Sequence, residues 1–278
     1  MILFEILILL HSELMVKTNF FFAKLSDLWY CRLARSCTGH KYGTQIVRET
    51  MEIFILKGHK FPEIHGLCVV IDVLRAFTTA AFAFGAGAKE ITFVSSIEEA
   101  FSKHQSDSTL LLMGEREGEP IEGFHFSNSP KELRHANLAG KRLVQRTSSG
   151  TQGVIGCCHA SHILAASFVI AEATIKRILE LNPPSVFFIV TGRNNGDEDL
   201  ALAEYLRDRL KGMPINLEHS LQRVRTSPAA QRMLAGPISY DDGSHDLKLA
   251  QDVDCFSFAI EVHKEGENLV GRAVAMCS

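Results

Sequence analysis

The sequence predicts an α/β protein: a mostly parallel sheet in a three-layer arrangement, with covering helices and a site at the carboxyl ends of the strands. Three observations lead there. From Met51 onward, short apolar or β-branched runs alternate with segments of helical period, the order that βα units produce. Runs such as "CVVI" and "FFIV" are apolar throughout, as strands buried on both faces are. Four runs then stop abruptly on charged or hydroxyl residues, where the loops of an open α/β sheet collect ligands.

In chain order, "MEIFILKG" (51–58) reads as the entering strand and "GLCVVI" (66–71) as the second. "RAFTTAAFAFGAGAK" (75–89) is helical, with Gly85 and Gly87 closing it. "EITFV" (90–94), "STLLLM" (108–113) and "KRLVQ" (141–145) are further strands. "EATIKRILELNPP" (172–184) is a helix that Asn182 and two prolines stop. "SVFFIV" (185–190) is the last clear strand before the helix "GDEDLALAEYLRDRL" (196–210). Beyond it, "EHSLQRVRTSPAAQRML" reads as helical on either side of Pro228, and "DGSHDLKLAQDVDCF" as a helix and a strand closing one edge of the sheet.

Residues 1–50 show no sustained period. "MILFEILILL" is too short to span a bilayer, carries Glu5 and lacks a basic leader. A poorly ordered extension is expected there, ahead of one α/β domain over 51–278, of one or two lobes.

The chain has 278 residues, 46% apolar and 22% charged, with a net charge of -3, enough to bury a full core. Its 29 basic and 32 acidic residues are interspersed, which argues against nucleic-acid and membrane partners and leaves self-association open. The seven cysteines are odd in number and form no CxxC, so a reducing cytoplasm is expected and a zinc site is not.

The polar strand ends carry Asp72 with Arg75, Glu115 with Arg116, "RTSSGT" (146–151), and Arg193 with Glu198 and Asp199. Singly, each has a plain structural reading. Asp72 could cap a helix, Glu115 and Arg116 could be a solvated pair, the hydroxyls could cap the next helix, and Glu198 and Asp199 suit a first helical turn. Together they describe a chemistry. Thr147, Ser148, Ser149, Gly150 and Thr151 offer hydroxyls and backbone N–H groups to a phosphoryl oxygen, and arginines 75, 116, 146 and 193 offer planar forks to oxyanions. Carboxylates beside that anion would repel it by about 4 kcal/mol per pair at 4 Å and an effective dielectric near 20. Mg²⁺ answers that repulsion, because it accepts one or two carboxylates together with water and substrate phosphate. Metal-assisted phosphoryl chemistry follows, acting on a small anionic phosphorylated metabolite.

Other routes lack their residues. An aspartyl-phosphate mechanism of the Asp-x-Asp kind finds Leu74 at the second aspartate, and Cys-x5-Arg finds Ile163 and Leu164. "GAGAKE" follows a helix and reads as a cap rather than a dinucleotide fingerprint. His159 and His162 in "HASH" read as structural more readily than as a metal pair, and His125 as a packed loop histidine more readily than as a general acid.

"VVIDVLRAFTT", "GEREGEPIEGFHFSNSP", "GKRLVQRTSSGT" and "GDEDLALAEYL", in this order, resemble the 2-phosphosulfolactate phosphatase family over roughly residues 51–278. Members are Mg²⁺-dependent phosphatases associated with coenzyme M biosynthesis. Phe77 stands where the family pattern has serine, Ser149 where it has asparagine, and Ile170 where a further asparagine is expected. The resemblance implies a metal shell of Asp72, Glu115 and Glu198 or Asp199, and a catalytic group of Asp72, Arg75, Glu115 and Arg116. Asn128, Ser129 and the loop 147–151 are then substrate-binding. It implies hydrolysis of a small 2-phospho acid, 2-phosphosulfolactate first. Water is expected to attack in preference to Asp72, because a carboxylate shared with Mg²⁺ is a poor nucleophile and the metal lowers the pKa of water. The rival is a non-catalytic binder of a phosphorylated metabolite, disfavoured because a binder of anions gains nothing from four carboxylates around its ligand.

Overall fold

The computed structural model describes residues 51–58, 62–192, 196–235 and 243–276, all within the unit Glu49–Ser278. The expected N-terminal extension and Arg193 lie outside the described residues.

The α/β class and the three layers hold. Ten strands form the sheet: β1 (Glu52–Lys57), β2 (Leu67–Ile71), β3 (Glu90–Phe93), β4 (Leu111–Arg116), β5 (Glu119–Pro120), β6 (Arg142–Arg146), β7 (His162–Ala166), β8 (Ser185–Val190), β9 (Phe258–Glu265) and β10 (Asn268–Ala275). Their order is β1-β8-β2-β7-β9-β10-β3-β6-β4-β5. The helices are α1 (Ala76–Gly85), α2 (Ile97–Ser106), α3 (Pro130–Arg134), α4 (Gly150–Gly156), α5 (Ala171–Leu181), α6 (Asp197–Leu210), α7 (Leu217–Thr226), α8 (Pro228–Ala235) and α9 (Gly243–Leu249). None is long and apolar enough to cross a membrane, among the described residues.

β2 is buried along its whole length, and its side chains alternate between two cores. Cys68 and Val70 enter one with α1 and Val154 of α4. Leu67, Val69 and Ile71 enter the other with α5, α6 and the helices beyond. Helices therefore cover both faces. Asn182 ends α5 in the left-handed conformation, φ 43°, consistent with the stop read from the sequence.

Two expectations need correction. The strand placed after "DGSHDLKL" at a sheet edge does not form there; β9 starts at Phe258, and β9 and β10 make a hairpin in the middle of the sheet, between β7 and β3. The sheet also contains β7, next to β2 at its centre, which the sequence reading missed. "HILAA" is only five residues long, and the histidine at its start hides the apolar run.

The inserted hairpin splits the parallel strands into two blocks. β1, β8, β2 and β7 run one way. Three successive antiparallel pairings then leave β3, β6 and β4 running the other way. In a flat sheet their carboxyl ends would lie at opposite edges. Twist of about 20–25° per step turns the second block by roughly 100–125° over the five steps from β2 to β6. The two sets of ends meet, with Gly150 after β6 packed directly on Asp72 after β2.

Candidate active site

A cleft of about 720 Å³ opens where these strand ends converge. Asp72, Arg75, Glu115, Asn128, Ser129, Ser148, Ser149, Glu198 and Asp199 all line it.

Asp72 leaves β2 and is 6% exposed. Its Oδ1 accepts from Ala76 N at 3.0 Å and so steadies the start of α1, although the N-cap position itself is Arg75, which makes no side-chain capping bond. It does more. Burial pushes its carboxyl up to about 7, and the charges of Glu115 and Glu198 push the same way, against the N–H groups of Ala76 and Gly150. Asp199 is fully enclosed in the first turn of α6, with Val73 N donating to its Oδ1 at 2.7 Å. Its Oδ2 has no hydrogen-bond partner among the described residues. Burial, then Asp72 and Glu198, raise its carboxyl well above the usual range. Glu198 is raised by burial too, while the Ser227 hydroxyl and Arg232 oppose the shift. Ser227 also accepts from Ala230 N at 3.1 Å, which ties the start of α8 to Glu198.

Two glycines give these oxygens room. A Cβ on Gly150 would fall 2.8 Å from Asp72 Oδ2. One on Gly192 would fall 3.0 Å from both Asp199 Oδ2 and Glu198 Oε1, so those two oxygens border one small space.

The loop from β6 to α4 divides its labour. Thr147 and Thr151 bond each other, Thr151 N donating to Thr147 Oγ1 and Thr147 N to Thr151 Oγ1, both at 3.0 Å. They shape the turn and do not line the cleft. Ser148 and Ser149 do line it. Ser148 N donates to Glu115 Oε1 at 2.5 Å, and Gly118 N donates to Oε2 at 2.5 Å. Glu115 thus fastens the β4–β5 hairpin to the loop as well as adding charge. Gly114 lets it reach there: at φ 144° it presses on β6 so closely that a Cβ would meet Arg146 O at 1.9 Å.

The arginines separate into different roles. Arg75 lines the cleft and donates from Nη1 to Asp246 Oδ2 at 2.6 Å. Arg116 is exposed and outside the cleft wall. Successive strand residues face opposite ways, so Glu115 and Arg116 cannot both point inward. Arg146 donates to Glu115 O at 2.8 Å and braces the hairpin. Asn128 is 5% exposed, and its Oδ1 is without a hydrogen-bond partner among the described residues. Ser129 Oγ donates to Asp246 Oδ1 at 2.8 Å.

His125 lines the cleft with Nδ1 accepting from Leu112 N at 3.0 Å, which leaves the ring hydrogen on Nε2; burial and His104 hold its pKa below the usual value. His159 and His162 pair with different carboxylates, Glu63 at 3.3 Å and Glu261 at 3.6 Å, and stand outside the cleft. Cys157 is a buried free thiol, pushed up by its hydrogen bond to Cys68 and by burial. Sequence reasoning missed Asp246 and Arg232. Both lie in helices far along the chain, with no motif around them.

The donor set fits a hard cation. Burial and neighbouring carboxylates raise Asp199, and its buried Oδ2 has no donor among the described residues, which is the charge and the lone pair that such an ion would satisfy. Among the described residues no three acidic, histidine or cysteine side chains form a ready cage. An ion here would complete its shell with water and substrate, as Mg²⁺ does.

The family model for 2-phosphosulpholactate phosphatase matches residues 53–257. A probable 2-phosphosulfolactate phosphatase of Bacillus subtilis (strain 168) is 32% identical over 224 residues, 78% of this chain and 96% of the relative. One from Carboxydothermus hydrogenoformans is 43% identical over 114 residues, 41% of this chain and 47% of the relative. One from Thermotoga maritima is 37% identical over 145 residues, 51% and 62%. With the match spanning most of the domain and all four strand-end motifs inside it, the chain belongs to the 2-phosphosulpholactate phosphatase family.

Proposed function

We propose that the protein is a Mg²⁺-dependent phosphatase that hydrolyses the phosphate ester of a small 2-phospho acid, converting 2-phosphosulfolactate to sulfolactate and phosphate. The observation that carries this reading is the convergence of Asp72, Glu198 and Asp199 on the side of the cleft next to Ser148 and Ser149. Like charges so buried call for a cation, and the relatives' names supply the ester. Glu198 and Asp199, whose oxygens border one space beside Gly192, would hold Mg²⁺, with Asp72 next to them and Glu115 adding charge from behind Ser148. When bound, Mg²⁺ supplies charge neutralisation at the phosphoryl oxygens and a lowered pKa for water.

The chain's own groups do the rest. Ser149 starts α4 without making a side-chain capping bond, which leaves its hydroxyl for a phosphoryl oxygen. Arg75, with Asn128 and Ser129 beside it, receives the acidic tail. Asp72 is a poor nucleophile, since one oxygen takes the Ala76 N–H and the other lies against Gly150. Water is therefore the attacking group. The leaving alcohol meets His125 Nε2–H as a hydrogen-bond donor.

The test is phosphate release from a panel of 2-phospho acids with and without a sulfonate, in EDTA and after adding back Mg²⁺ or Zn²⁺. Turnover of 2-phosphosulfolactate restored by Mg²⁺ more readily than by Zn²⁺ is expected. Full turnover in excess EDTA overturns the metal, and tight binding with no release overturns the phosphatase.

A further inference from the structure

Asp246 does not line the cleft, yet two groups that do are held by it. Its side chain is completely buried. Oδ2 takes Arg75 Nη1 at 2.6 Å. Oδ1 takes Ser129 Oγ at 2.8 Å and Lys131 N at 3.1 Å. One carboxylate in α9 thus ties the residue before α1 to the residue before α3, across 171 and 117 positions of sequence.

We infer that Asp246 is a positioning residue: held in place by the Ser129 hydroxyl and the Lys131 N–H, it fixes the Arg75 guanidinium on one wall of the cleft, so that Arg75 recognises the acidic group of the substrate other than its phosphate. The inference rests on the reading under Proposed function. Three features carry it. An arginine has five N–H donors in a rigid plane, so spending one on Asp246 sets where the others point. The Arg75 side chain is 16% exposed, enough to reach a ligand and too little to wander. The pair is close to neutral, so an anion must be held by directed hydrogen bonds rather than by a loose positive field, and direction is what Asp246 supplies. The phosphate has the carboxylate-rich side of the cleft and its cation; the tail anion has no such ion.

The test is a double-mutant cycle on the full chain: parent, Asp246→Asn, Arg75→Ala and the pair, with melting temperatures to confirm folding. For 2-phosphosulfolactate, Asp246→Asn should raise KM about tenfold and leave kcat within about twofold, a loss of binding rather than of chemistry. It should change KM little for phenyl phosphate, which has no second acidic group. It should add nothing once Arg75 is alanine. Independent, additive losses overturn the inference, and so does a KM that falls because an unpaired Arg75 attracts anions better. If Asp246→Asn does not fold, Asp246→Glu, which keeps the charge and moves it by one methylene, carries the same cycle. If the parent hydrolyses no ester, the phosphatase reading falls by itself, and the cycle is read as sulfolactate affinity by calorimetry. Additive effects there, or no binding by the parent, overturn the inference.

Discussion

Val73 N donates to Asp199 Oδ1 at 2.7 Å, so the residue after Asp72 is bonded to the first turn of α6 across 126 positions of sequence. One oxygen of Asp199 therefore holds the fold, and the other, without a hydrogen-bond partner among the described residues, faces the charge cluster. The two roles separate by mutation. Asp199→Asn keeps an acceptor for Val73, whereas Asp199→Ala strands a buried N–H, which costs about 1–3 kcal/mol. Both variants should lose turnover in Mg²⁺, while only alanine should lower the melting temperature. An Asn variant with full activity would falsify the metal role of Asp199.

Gly150 is where the two oppositely running blocks touch. A Cβ there would lie 2.7 Å from Ala76 Cβ and 2.8 Å from Asp72 Oδ2, contacts that real Cβ atoms do not make. Gly150→Ala should force α4 away from α1, costing about 1–3 kcal/mol as overpacking does, and it should lower kcat through the displaced Asp72. Denaturant midpoints and turnover measured together check this; an unchanged pair of values means that the loop already has slack.

Much of this was legible in the sequence, for reasons that residues make plain. "LCVVI" is apolar throughout because both faces of β2 are buried, and its end at Asp72 marks the cleft. Strand direction was not legible. The β9–β10 hairpin carries no sign that it inserts at the centre, and the insertion is what reverses β3, β6 and β4. Arg116 illustrates a rule available but not applied, since period two already puts it opposite Glu115. Asp246 was out of reach: a lone aspartate in a short helix looks like any surface acid until Arg75 and Ser129 are seen bonded to it.

Burial raises Asp72 from an ordinary 3.8 to about 7, so between those values the folded chain keeps a proton that the unfolded chain has lost. Stability of the metal-free protein therefore falls as pH climbs through that window, and the raised Glu198 and Asp199 add to the fall. Asp72→Asn removes one such group. In EDTA, its melting temperature relative to the parent should rise between pH 4.5 and 7.5, by roughly 2–4 °C for each kcal/mol relieved in a domain of this size. A relative melting temperature that stays flat or falls over that range would show Asp72 ionised throughout.

The same substitution decides between the two meanings of Asp72. As a helix cap it accepts from Ala76 N, and asparagine caps about as well, so a purely structural Asp72 predicts a variant that is stable and active. As part of the charge cluster it lines the cleft together with Glu198 and Asp199, and asparagine removes the charge while keeping the shape. Turnover of Asp72→Asn should then fall about 10²- to 10⁴-fold, the equivalent of roughly 3–5 kcal/mol of transition-state stabilisation. Excess Mg²⁺ should recover part of it, because a weakened site fills at higher ion concentration. The stability gain without metal and the activity loss with it have one cause, the negative charge that Asp72 holds in a buried place. An Asn variant that is stabilised at pH 7.5 yet fully active would break that link and leave Asp72 a cap.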